Sequence, residues 1–101
     1  MKKKFHVEFN PDFFNDLVLS VEWYNEHSTK LGDRFYKKVK KQTAKLSTSA
    51  FYYAVKYCDI RCMPIENFPY LVHYRVNEET NTIKVEAMFH TSRNPNTWNK
   101  I

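Results

Sequence analysis

From Asn10 to Leu46 the apolar residues recur every three or four positions, and from Pro69 to His90 they alternate instead. Helical periodicity followed by strand periodicity confines the chain to an α+β architecture, with helices on one face of a largely antiparallel sheet.

The helical half divides in two. Asn10 is placed to cap a first helix, Pro11 suits its first position and Asp12 complements the positive end of its dipole. Phe14, Leu17, Val18, Val21 and Tyr24 follow at helical spacing, and the helix is expected to run to about His27 as a core element. The stretch "HSTKLGD" breaks the pattern, and Ser28 can cap a second helix, although the capping-box position holds Leu31. Leu31, Phe35, Val39, Gln42 and Leu46 then share an arc of about 80°. Arg34, Lys37, Lys38, Lys41 and Lys45 share a neighbouring arc of about 100°. The short link predicts an antiparallel helical hairpin.

Four strands are expected around it. Lys4 to Phe9 alternates loosely and reads as a short first strand. "YCDIRCMPI" reads as one strand that Pro64 ends or marks as an edge. "PYLVHYRV" is a strong strand, "NEETN" a polar turn, and "TIKVEAMFH" places Ile83, Val85, Ala87 and Phe89 on one side. The expected order is β-α-α-β-β-β in one domain over residues 1–101. The helices cover the face bearing Val72, Tyr74 and Val76, so Arg61, His73, Arg75, Lys84 and Glu86 are expected on the other, with His90 and Arg93 at its end.

Composition narrows the function. The 101 residues are 43% hydrophobic and 17% aromatic, the makeup of a globular domain. Gly32 is the one glycine, which disfavours glycine-rich phosphate loops. No apolar run approaches the roughly 20 residues that span a bilayer. "MKKKFHVEFN" lacks the apolar stretch of a signal peptide, so the expected address is the cytoplasm, with no membrane partner. Cys58 and Cys62, four apart on one expected strand, lie beyond disulfide reach and lack the companion ligands of a zinc site. Two reduced thiols, partly in the core, are expected, with no metal and no cofactor. The net charge of +5 concentrates between Ser28 and Lys45, favouring nucleic acid, the ribosome or an acidic protein as partner.

Each candidate residue has a structural and a functional reading. Arg61 and Arg75 could bind phosphate from the open sheet face, or pair with Asp59 or Glu86. His73 fits a structural role better than a catalytic one. His90 closes a strand in a motif that also holds Arg93. Metal-free RNA cleavage needs a base, an acid and cations around a crowded phosphate, and Arg61, Arg75, His90 and Arg93 are the residues that could supply them.

The order of motifs resembles the RelE/ParE superfamily of bacterial type II toxin–antitoxin toxins. The resemblance runs from about Phe5 to Trp98: "VEWYNEHSTKLGDRFYKKV", then "YCDIR", "FPYLVHYRV" and "HTSRNPNTW". It implies the hairpin-on-sheet fold and a cognate antitoxin rich in acidic residues, which the basic face at Arg34, Lys37, Lys38, Lys41 and Lys45 would suit. RelE-type members are ribosome-dependent mRNA endonucleases that use lysines, arginines and a C-terminal tyrosine. This chain keeps Arg61 and Arg93 of that set, but has Met63, Tyr70 and Trp98-Asn99 at other positions of it. The ending His90, Arg93, Pro95 and Trp98 looks like the ParE branch, whose studied members poison DNA gyrase without catalysing a reaction. That resemblance implies a recognition tail, with Arg93 as charged anchor, Pro95 as turn and Trp98 as aromatic hot spot. The alternative is that Trp98 closes the core. A third possibility is a non-toxic binding module derived from the family.

Overall fold

A computed structural model of the chain describes residues 4–92. The elements run β1 (His6–Phe9), α1 (Pro11–His27), α2 (Thr29–Ser49), β2 (Val55–Tyr57), β3 (Ile60–Pro64), β4 (Tyr70–Asn77) and β5 (Thr82–His90). They form the expected α+β fold, with five strands in the order β1-β5-β4-β3-β2. β1 pairs with β5 in parallel and every other pairing is antiparallel.

Asn10 caps α1 as its side-chain oxygen accepts from the Asp12 N–H at 3.0 Å. At the hairpin, Ser28 precedes α2 without a side-chain cap, and its N–H donates to the Tyr24 carbonyl. The core joins Phe13, Leu17 and Tyr24 of α1 and Phe35, Val39 and Leu46 of α2 to Met63, Val72, Tyr74, Ile83, Val85 and Met88 of the sheet. Tyr74 is fully buried, and its hydroxyl donates to the Ala50 carbonyl at 2.8 Å, tying β4 to the end of the hairpin.

Three expectations need correction. The strand expected over "YCDIRCMPI" is two strands, parted by a turn in which Cys58 takes φ 48°. Cys58 is therefore exposed while Cys62 is buried. Second, Phe14 and Val18 are not core: they stand 48% and 53% exposed. Adjacent helix positions point about 100° apart, and Phe13 takes the inward one. Third, Ala87 and Phe89 do not share a face with Ile83 and Val85. The register places Tyr74 opposite Val85 but His73 opposite Ala87, so Glu86 is the extra residue of a β-bulge. One inserted residue reverses every later side chain, turning Met88 to the helices and Ala87 and Phe89 away.

The helices cross closely at Gly32. A Cβ there would overlap the Asn25 side-chain amide and come within 3.2 Å of the Val21 carbonyl oxygen. The exposed Asn25 can swing aside, and alanine brings better helix propensity, so Gly32→Ala is expected to change stability by less than about 1 kcal/mol. The branched side chain of Gly32→Val presses on the Val21 carbonyl as well and should cost about 1–3 kcal/mol. Thermal unfolding of the two variants checks the contrast; equal loss in both would mean the crossing is not set by this contact.

Candidate functional site

The basic face of α2 is built as its periodicity implies. Arg34, Lys37, Lys41 and Lys45 are exposed and Lys38 is half-buried. Two of these cations are engaged, Lys37 with Asp33 at 3.0 Å and Lys38 with Glu66 at 3.7 Å. Arg34, Lys41 and Lys45 have no ion-pair partner among the described residues. Gln42, expected on the apolar stripe, instead donates to the Pro64 carbonyl at 3.0 Å and accepts from the Glu66 N–H at 2.8 Å. It anchors the loop between β3 and β4 to the helix.

Three of the four residues that RNA cleavage would need to bring together, Arg61, Arg75 and His90, stand apart in the structure. Arg61 is directly opposite Tyr74, on the helix-covered side of the sheet rather than the open one. Its guanidinium donates to the Tyr53 carbonyl at 2.6 Å and lies 5.1 Å from the centre of the Phe51 ring. The expected open-face position for Arg61 fails because that strand is out of phase with it: Ile60 and Cys62 face away from the helices, opposite Arg75 and His73. Arg75 does stand on the open face. It is held by Glu86, whose Oε2 lies 2.9 Å from Nε, and by Asp59. The Asn10 amide also donates to Glu86, at 3.1 Å. With two carboxylates on one guanidinium, Arg75 has no uncompensated charge to offer a phosphate. The open cleft beside it, about 940 Å³, is lined by Glu8, Asp59, Glu78, Glu79 and Glu86 against only Arg75 and Lys84.

His90 lies at the opposite end of the sheet. It is directly across from Tyr70, five residues from Arg75 along β4, a separation of roughly 17 Å. Tyr70 packs on Tyr24 and Phe35, so His90 belongs to the helix side as well, with its ring 5.2 Å from that of Tyr70. The exposed imidazole accepts at Nδ1 from the Ser92 N–H, 3.1 Å away. Arg93, Pro95 and Trp98 lie outside the described residues.

His73 is structural in its surroundings. It is fully buried, with Nδ1 2.9 Å from the Tyr57 hydroxyl and 3.5 Å from Cys62 Sγ. Burial lowers its pKa to about 4 and raises those of Tyr57 and Cys62 to about 12 and 11. All three are neutral at pH 7, so the cluster holds neither a thiolate nor a base poised near neutrality. Among the described residues no group of three or more His, Cys, Asp and Glu stands together as a metal site, and no helix is long and apolar enough to cross a membrane.

Two features had only weak signals in the sequence. The Asp16 carboxylate accepts from the Met88 N–H at 3.1 Å, occupying the edge of β5 beyond the reach of β1, which ends its pairing at Val85. Phe14 and Val18, with Tyr36 across the hairpin, leave an apolar seam on the outer surface. The neighbouring pair Phe13-Phe14 was the available hint, since one helix face cannot bury both equally.

No family model matches the chain, and neither does any curated protein. Solved structures do. A chain of the chromosomal ParDE toxin–antitoxin system from P. aeruginosa superposes with a TM-score of 0.77 at 14% identity, over 89% of this chain and 99% of that one. The isolated E. coli RelE toxin superposes with a TM-score of 0.63, also at 14% identity, over 95% and 94% of the two chains. The chain has the fold shared by these toxin-system structures, as its motif order implies.

Proposed function

We propose that this chain is the toxin of a type II toxin–antitoxin pair and that it acts in the ParE manner, by binding and inhibiting DNA gyrase without catalysing a reaction. The observation that carries the reading is the likeness to the ParDE chain, which spans 99% of that chain and exceeds the likeness to RelE at the same identity. The separation of Arg61, Arg75 and His90, and the carboxylates around Arg75, support it over phosphate chemistry. In this reading His90, Arg93, Pro95 and Trp98 form the target-binding end. Arg34, Lys37, Lys38, Lys41 and Lys45 face an acidic antitoxin, which keeps the toxin silent.

The test is induction of the protein alone in a bacterial host, with pulse labels for DNA and protein synthesis run in parallel. DNA synthesis should fall first, and Trp98→Ala should abolish the effect. If translation falls first, the gyrase reading is sunk, ribosome-dependent mRNA cleavage takes its place, and single substitutions at Arg61, Arg75, His90 and Arg93 test which of these candidates it uses. Unchanged growth with the protein demonstrably expressed would favour a binding module that has lost toxicity.

A further inference from the structure

The two helices of the hairpin carry opposite charge. α1 has four carboxylates and no Lys or Arg, whereas α2 has seven Lys and Arg and the single carboxylate of Asp33. At about 100° per residue, Phe14, Val18, Leu19, Glu22 and Glu26 fall within an arc of about 140° on α1, and Tyr36, Lys37 and Lys40 within about 100° on α2. All of these are exposed, Leu19 by 65%. The arcs meet over a cavity of about 540 Å³ that Phe14, Val18, Glu22, Tyr36 and Lys40 border. Glu22, Glu26 and Lys40 have no ion-pair partner among the described residues.

Such a face is complementary to itself. A two-fold axis running along the seam would set each α1 over the α2 of a second copy, antiparallel, with carboxylates facing cations in both contacts. An axis running across the seam would set like charge on like. Gly32 lies beside Asn25, which fixes the stagger of the hairpin. With the axis along the seam, Glu22 then stands at the level of Lys37 of the second copy, and Val18 and Leu19 at the level of its Tyr36, each within about 5 Å along the helix. The apolar residues meet at the centre and the charges ring them. Phe9 of the edge strand β1 also lines the cavity, so an extended segment on that edge is the rival occupant. It would cover one end of the seam and leave most of the opposed charge on the two helices unmatched.

We infer that, with no other partner bound, the outer face of the hairpin pairs with the same face of a second copy about a two-fold axis along the seam, α1 on α2 and α2 on α1. This goes beyond the toxin reading and does not rest on it. The net charge of +5 on each copy opposes association, but at physiological salt that repulsion is screened beyond about 8 Å. The apolar centre supplies the affinity, and the opposed charges select this orientation over its alternatives.

The experiment uses the full chain alone. Sedimentation should show a monomer–dimer equilibrium below about 0.3 mM protein. In the isotope-labelled chain, the amide resonances of Val18, Leu19, Tyr36 and Lys40 should move with concentration. Two variants then test the orientation, one with Glu22→Lys and Glu26→Lys, the other with Lys37→Glu and Lys40→Glu. Each alters only exposed positions, is checked for an unchanged circular dichroism spectrum, and should self-associate at least about tenfold more weakly than the parent. Mixed together they restore opposite charge in both contacts, so a heterodimer should form with an affinity within about threefold of the parent's. A parent that stays monomeric, variants that self-associate as the parent does, or a mixture that stays monomeric overturns the proposal. So do assemblies larger than a dimer, since a two-fold contact closes on itself. Shifts confined to His6–Phe9 overturn it as well, by assigning the contact to the edge of β1.

Discussion

Phe35→Ala is expected to remove about 3–5 kcal/mol of folding stability. Phe35 is fully buried where α2 meets the sheet, with ring centres 4.9 Å from Phe68, 5.0 Å from Tyr24 and 5.1 Å from Tyr70. These aromatic neighbours come from α1, from β4 and from the loop before it, so no single movement can close the space that alanine leaves. Lost transfer energy and a residual cavity therefore add. For a domain of this size the loss is a large share of a total of about 5–15 kcal/mol. It should lower the melting temperature by roughly 15 °C or more. Urea unfolding should show a lower midpoint with the slope kept, since the surface exposed on unfolding hardly changes. A loss below about 1.5 kcal/mol would mean that the aromatic cluster repacks and does not hold α2 in place.

Acidification should destabilise the protein through His73, in a window set by its burial. Folded, the imidazole is kept out of water and its pKa falls from 6.5 to about 4. Unfolded, it recovers the ordinary value. Between those limits the unfolded chain binds a proton that the folded chain refuses, so stability declines as pH falls through the window. The contribution is intact above about pH 6.5, and its loss is complete below about pH 4, at roughly 3 kcal/mol in total. Tyr57 and Cys62, the groups set against the ring, stay neutral throughout, because their pKa values are raised to about 12 and 11. His73→Gln keeps a polar group near the Tyr57 hydroxyl and removes the titration. Its urea midpoint should vary less between pH 7 and pH 4.5 than that of the parent. An equally steep dependence in both proteins would assign the effect to other groups.

The basic face of α2 was legible because charge and helical period are local properties: Arg34, Lys37, Lys41 and Lys45 fall on one side of any helix built from this sequence. The candidate residues of the sheet were less so. Arg61 and Arg75 were expected on one face, yet Arg61 reaches the Tyr53 carbonyl and Arg75 reaches Asp59 and Glu86 on the other. The sequence between them includes a turn and a change of strand, and periodicity does not carry phase across such breaks. Gln42 sits at the angular position its period implies, but its partners, the Pro64 carbonyl and the Glu66 N–H, lie more than twenty residues away, beyond what periodicity reveals.

By itself the sequence determined the element types and most of their bounds. Asn10 and Pro11 start α1, the break at Ser28 makes the hairpin, and alternation brings β5 to His90, because caps, propensity and periodicity act within a few residues. Tertiary structure alone decided which sides are buried. The bulge at Glu86 exists only in the pairing of β4 with β5, and it turns Ala87 and Phe89 away from the helices. The choice of Phe13 over Phe14 depends on how α1 lies against the sheet and α2, and it leaves the seam of Phe14, Val18 and Tyr36 open. An element's own period orders its side chains relative to one another, and only the elements packed against it set which of them meet water.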